Sequence, residues 1–188
     1  MAHVRIDVAC NWKLFVENHI DVYHLWYLHD ASLAAFDHTR FEHHALARNW
    51  ASYEPMRDPA DATGEADPAG GAIRHLDDRD RHGIQAHMLF PNTLMAASTE
   101  FFTTYAIHPV DPGRSWIDLR VRAEPDADVD RVTASIRAFI DEDVAACEQV
   151  QAAVPARRFG VGPLARTHER PITTFHTNLL DALGLGPR

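Results

Sequence analysis

Asp21, His24 and His29 stand in one short run, Asp21-x2-His24-x4-His29, and a further carboxylate of interest, Asp143, comes far later in the chain. Imidazole nitrogens and carboxylate oxygens are donors that divalent first-row metals accept, and two His with one carboxylate is the facial set that leaves positions open on one side of Fe(II). Asp21 and His24 are three apart and so neighbours on a helix. His24 and His29 are five apart, about 140° around an ideal helix. They can meet at one ion only where the helix ends or distorts between them.

Spacing alone carries little weight, because the chain holds 13 His in 188 residues. About one pair at any given spacing is expected by accident in such a sequence. Spacing five occurs at His19/His24, His24/His29, His38/His43 and His82/His87. Two partly exposed histidines at a helix end is the plainer reading of His24 and His29. Spacing four, the zinc-protease pattern on one helix face, does not occur. His43-His44 and His82/His87 read as surface or sheet residues.

Asp143 adds the tertiary half of the pattern. Residues 127–153 form the clearest helix, with Val129, Val132, Ile136, Ile140, Cys147 and Val150 as its apolar stripe. At 100° per residue from Ile136, Asp143 falls about 20° from the stripe centre, whereas Asp141, Glu142 and Glu148 fall well off it. A carboxylate facing a core must be paired, protonated or metal-bound. Arg137, Arg157 or Arg158 could supply the pairing, and a metal could equally.

These side chains need elements to place them. Residues 10–28 carry apolar positions at helical spacing on more than one face, as a buried helix does, with Asn18 and Asp21 set among leucines. Residues 41–55 read as a strand ending at Pro55, and 56–80, rich in Asp, Pro, Gly and Ala, as a flexible surface excursion or lid. Strands are expected at 83–90, 100–108 and 116–124, the last with Ile117, Leu119 and Val121 alternating with Asp118, Arg120 and Arg122. A closing amphipathic helix runs from about Arg170 to Leu183. The order predicts one α+β domain over 1–188, with helices on one side of an antiparallel sheet. Tyr23, Trp26 and Phe36 could line a cavity, but aromatic residues near a helix end more often belong to the plain core.

With 18 Lys+Arg against 27 Asp+Glu, the net charge of −9 argues against a nucleic-acid partner. No apolar run approaches the ~20 residues of a membrane span, and the N-terminus does not read as a signal peptide, so a cytoplasmic protein is expected. Met1 favours a genuine start over a domain cut from a longer gene.

Several motifs together resemble the catalytic domain of Rieske-type ring-hydroxylating oxygenase α subunits. They are Asn11-Trp12-Lys13, Glu17-Asn18, Asp21-Val22-Tyr23-His24 and His29; then Phe90-Pro91-Asn92; then Glu142-Asp143 with Cys147-Glu148-x-Val150-Gln151; and last Glu169 and Phe175-His176. The resemblance runs from about residue 9 to 183. It implies a helix-grip fold similar to START and Bet v 1 domains, an antiparallel sheet wrapped around the long C-terminal helix. It implies Fe(II) held by His24, His29 and Asp143, with Asn18 close to the iron and Asp21 passing electrons toward His24. It further implies O2 and an aromatic or other small organic substrate, a reductase, and a trimer-based assembly in which a neighbouring subunit's Rieske cluster faces the iron.

One departure is large. A Rieske cluster needs C-x-H and C-x2-H, but Trp12 stands two after Cys10 and Val150 three after Cys147. This sequence therefore carries no [2Fe-2S] motif, and electrons would come from a Rieske ferredoxin or another Rieske-bearing subunit. The competing expectation is a catalytically idle helix-grip module that binds a hydrophobic small molecule.

Overall fold

The computed structural model describes residues 1–57, 73, 75–160 and 162–186. Seven strands form one antiparallel sheet: β1 (Ala2–Val8), β2 (Glu42–Leu46), β3 (Asn49–Pro55), β4 (Gly83–Leu89), β5 (Thr93–Ala97), β6 (Phe102–Asp111) and β7 (Arg114–Arg122). Their order is β1-β7-β6-β5-β4-β3-β2. The helices are α1 (Trp12–Ile20), α2 (Tyr23–Tyr27), α3 (Asp78–Arg81), α4 (Val129–Ala153) and α5 (Arg170–Ala182).

Period-two alternation decides which face of the sheet is covered. In β7, Ser115, Ile117, Leu119 and Val121 are buried while Asp118 and Arg120 pair with each other on the opposite face. Ile117 lies in register with Ile6 of β1 and Ile107 of β6, a row of three fully covered isoleucines. Against this face lies the stripe of α4, with Val132, Ile136, Ile140 and Cys147 buried. Each such side chain contributes about 1.5–3 kcal/mol by leaving water. Val150, expected in the stripe, is exposed. The result is the α+β arrangement expected from the sequence: an antiparallel sheet on a long helix.

The Glu148–Gln151 and Asn11 motifs do structural work. Glu148 Oε1 accepts from Ala9 N at 2.8 Å, and Gln151 Oε1 accepts from Asn11 N at 2.9 Å. The Asn11 side chain caps α1, accepting from Lys13 N, and donates to Pro112 O at 2.9 Å. These bonds tie the start of α1 to the far half of α4 and to the β6–β7 turn, laying α1 alongside the turn of α4 that carries Asp143.

Several sequence expectations are corrected. Residues 10–28 are two helices, broken at Asp21, whose extended backbone (φ −82, ψ 134) stops α1. The single strand expected at 41–55 is a hairpin, β2 and β3, turned through Ala47 at φ 55. Strands β1 and β5 were not expected. Much of the 56–80 excursion lies outside the described residues. Of its described parts, Arg57 N donates to Ala35 O and Ile73 N to Thr99 O, and Asp77 caps α3, its Oδ1 accepting from Asp80 N.

Candidate metal centre

The end of α2 between His24 and His29 answers the angular problem of the His pair. Asp21 Oδ1 accepts from Tyr23 N at 2.9 Å and Oδ2 from His24 N at 3.2 Å, so its carboxylate opens α2 as a cap does. Five residues later α2 has ended, with Leu28 as its C-cap, and His29 leaves the helical path. The two imidazoles then stand edge to face with centroids 5.1 Å apart.

Both rings turn Nε2 toward one carboxylate. Asp143 Oδ1 lies 2.9 Å from His29 Nε2 and 3.5 Å from His24 Nε2. Asn18 on α1 donates from Nδ2 to the same oxygen at 2.7 Å. His24, His29 and Asp143 place one ligand atom each within 4.8 Å of one another, the one such group of three found among the described residues. Ligands held about 2.1 Å from an ion at right angles stand about 3.0 Å apart, so the trio already has near the spacing a facial site needs. Among the described residues the partners of Asp143 are thus Asn18, His24 and His29 rather than an arginine, and Arg137 pairs instead with Asp141 at 2.6 Å.

The far edges of both rings are occupied as in metal-binding histidines. His24 Nδ1 donates to the Asp21 carbonyl at 2.7 Å, which leaves the lone pair on Nε2. His29 Nδ1 donates to Glu142 Oε2 at 2.7 Å, and Ser32 Oγ donates to that oxygen at 2.7 Å. Burial lowers the His24 pKa, against the pull of Asp143 and Asp21, and so keeps it the neutral ligand form. At His29 burial also opposes the charge, but hydrogen bonds to Asp143 and Glu142 outweigh it and the pKa rises. A cation at the shared point would displace that proton. The donor set and the tautomers therefore fit a divalent first-row metal.

Glu142 is a correction to the sequence reading, which placed it on an exposed face. It sits beside Asp143 and reaches around to His29, and its side chain is 37% exposed. Its adjacency to Asp143 was the only available signal. The carboxylate of Asp21 stands 3.9 Å from His24 Nδ1, farther than its own carbonyl.

The trio opens on a cavity of about 70 Å³, room for more than a single water. Phe15, Phe41, Trp50, Tyr105 and Phe139 supply aromatic walls, and His19, Ser52 and Glu54 are its polar additions. Sequence reasoning singled out none of these. Tyr23, Trp26 and Phe36 are not among the lining, in keeping with the plainer packing reading: Tyr23 and Trp26 pack against each other and His168, and Phe36 bridges Met56. Glu54 is buried and bonded to buried His38 Nδ1.

The helix-grip fold thus brings two imidazoles and one carboxylate, from α2, the turn after it and α4, to a cavity as a group that could hold one metal ion. The chain belongs to the ring-hydroxylating α-subunit (catalytic domain) family, whose pattern it matches over residues 1–185. Among solved structures it is similar to the quaternary ammonium Rieske monooxygenase CntA in complex with an inhibitor, at 18% identity and TM-score 0.74, over 96% of this chain and 48% of that one. It is also similar to dicamba monooxygenase bound to 3,6-dichlorosalicylic acid, at 15% identity and TM-score 0.63, over 96% of this chain and 59% of that one. The chain thus spans about half the length of these structures, and at such identities the likeness bears on the fold. No curated protein matches it. No helix among the described residues is long and apolar enough to cross a membrane.

Proposed function

We propose that the chain is the iron-bearing domain of a Rieske-type oxygenase that hydroxylates a small organic molecule. His24 Nε2, His29 Nε2 and one Asp143 oxygen would hold Fe(II). The observation that carries this reading is the convergence of His24 and His29, from the run at α2, with Asp143 of α4, more than 110 residues later. Bound Fe(II) supplies one-electron chemistry and open positions for dioxygen.

The chain's own residues do the positioning. Glu142 and the Asp21 carbonyl fix the two rings, and Asn18 holds Asp143. The aromatic cavity excludes water and holds substrate beside the trio. Electrons would come from a Rieske centre on another subunit or protein, entering through the Asp21–His24 contact, and a reductase would supply that centre. A trimer-based assembly would bring such a centre near.

Anaerobic Fe(II) titration of wild-type protein and of Asp143→Ala and His29→Ala tests the assignment. One Fe(II) per chain is expected for wild type, and little retention for either variant with the fold intact by circular dichroism. Unchanged iron binding in Asp143→Ala would overturn the ligand set.

A further inference from the structure

Two residues that line the cavity each bury a polar atom that has no partner. His19 Nε2 and Trp50 Nε1 are both buried and unbonded, and both side chains line the cavity. Their rings stand edge to face, with centroids 6.5 Å apart. Buried donors and acceptors left unpaired are costly, and those that persist in a fold await water or a ligand.

The two atoms are of opposite kind. Trp50 Nε1 carries a hydrogen and only donates. The His87 backbone favours a proton on the His19 ring, and with Nε2 unbonded we place that proton on Nδ1. A neutral ring that donates from Nδ1 presents a lone pair at Nε2, and burial keeps this ring neutral at pH 7.

The neighbouring polar groups are engaged elsewhere. Tyr105, whose ring is 6.0 Å from that of His19, has the Thr103 side chain beside its hydroxyl. Ser52 Oγ donates to Ala86 O, and Glu54 is bonded to His38. Among the described lining residues there is no Lys or Arg.

We propose that the cavity takes a neutral molecule with an apolar body and one hydroxyl or primary amide group. Its oxygen accepts from Trp50 Nε1–H, and its own O–H or N–H donates to His19 Nε2. This names the substrate class of the oxygenase site and so rests on that reading. In the iron-free cavity a carboxylate has no hydrogen for His19 and meets Glu54 with no Lys or Arg among the described lining residues. A hydrocarbon leaves both atoms unpaired, and a quaternary ammonium offers neither a donor nor an acceptor.

Phenol, toluene and benzoate share a ring and differ in one group. Calorimetry on iron-free protein compares them without any gain from contact with metal. Phenol is expected to bind at least about tenfold tighter than toluene or benzoate. Trp50→Phe and His19→Leu are each expected to cut that advantage about five- to tenfold, with melting temperatures at or above wild type, since each removes an unpaired polar atom. Phenol binding no tighter than toluene, or a preference that survives both substitutions, overturns the proposal and leaves the two atoms to water. Iron content, measured separately on the same wild-type protein, judges the other reading. A phenol preference in protein that cannot hold iron sinks the oxygenase and keeps the recognition; bound iron without the preference does the reverse.

Discussion

Glu142 takes the outer N–H of His29, at 2.7 Å from Nδ1 to Oε2, while its neighbour Asp143 meets Nε2 at 2.9 Å on the other edge of the same ring. One turn of α4 therefore grips His29 from both sides. The buried ring, 1% exposed, has little freedom left to rotate.

Glu142→Ala is accordingly expected to weaken divalent metal binding by about 10- to 100-fold, the usual effect of losing a carboxylate that orients a ligating imidazole. Asp143→Ala should cost more, because it removes a donor atom as well as the Asn18 contact. Asp141→Ala is the control, since Asp141 is exposed and bonded to Arg137. Anaerobic Co(II) or Fe(II) titration reads all three. Equal losses at positions 141 and 142 would deny Glu142 a positioning role.

Substitution at Asp21 can separate metal binding from the proposed electron delivery. Its carbonyl holds His24, while its carboxylate opens α2 through Tyr23 N and His24 N. Asp21→Asn keeps the carbonyl and one acceptor oxygen but removes the charge. Iron content should match wild type, and single-turnover reoxidation with a reduced Rieske protein should slow. Loss of iron with unchanged transfer in the residual holoprotein would contradict this division of labour.

Much of the frame was legible because burial writes a period into the chain. The α4 stripe showed that Asp143 faces inward, and β7 announced an antiparallel sheet with one wet face. Glu142 was misplaced because the angle of a Cα says little about where a long, flexible side chain ends. The β2–β3 hairpin was hidden because its turn uses Ala47 where Gly is customary. β1 does alternate, with Ile6 and Val8 buried against exposed Arg5 and Asp7, but its placement beside β7 is a long-range pairing that no local pattern encodes. The break at Asp21 was equally silent, since the residues on both sides have helical spacing. His19 and Trp50 matter only because the fold leaves each without a partner, a fact that exists in three dimensions alone.

Backbone strain offers a test of the hairpin. Ala47 adopts φ 55, in the left-handed region that costs a Cβ-bearing residue about 1–2 kcal/mol. Ala47→Gly should therefore raise stability by about 1 kcal/mol, partly offset by the greater freedom of glycine in the unfolded chain. Gly83→Ala should act oppositely, because an added Cβ would lie 2.6 Å from Glu54 O in the paired strand. A loss of about 1–3 kcal/mol is expected from such overpacking. Urea denaturation of both variants reads the two signs, and a stabilised Gly83→Ala would refute the close β3–β4 approach.

Acid stability follows from the buried imidazole of His19. Burial, only partly opposed by Asp143, pushes its pKa down to about 4 from the ordinary 6.5. The unfolded chain therefore binds this proton first, and stability rises with pH between about 4 and 6.5. Above that window both states are neutral and the contribution is level. On acidification from pH 7 to 4 the loss from His19 is roughly 3 kcal/mol. His24, lowered chiefly by burial, adds in the same direction in metal-free protein. His19→Leu removes one titrating group and leaves the other, so the variant should lose distinctly less stability than wild type over this window. Unfolding free energies measured at pH 7, 6, 5 and 4 decide it. If the difference between wild type and variant stays constant across those four values, His19 is not a neutral buried ring in the folded state, and its role as an acceptor in the cavity falls with it.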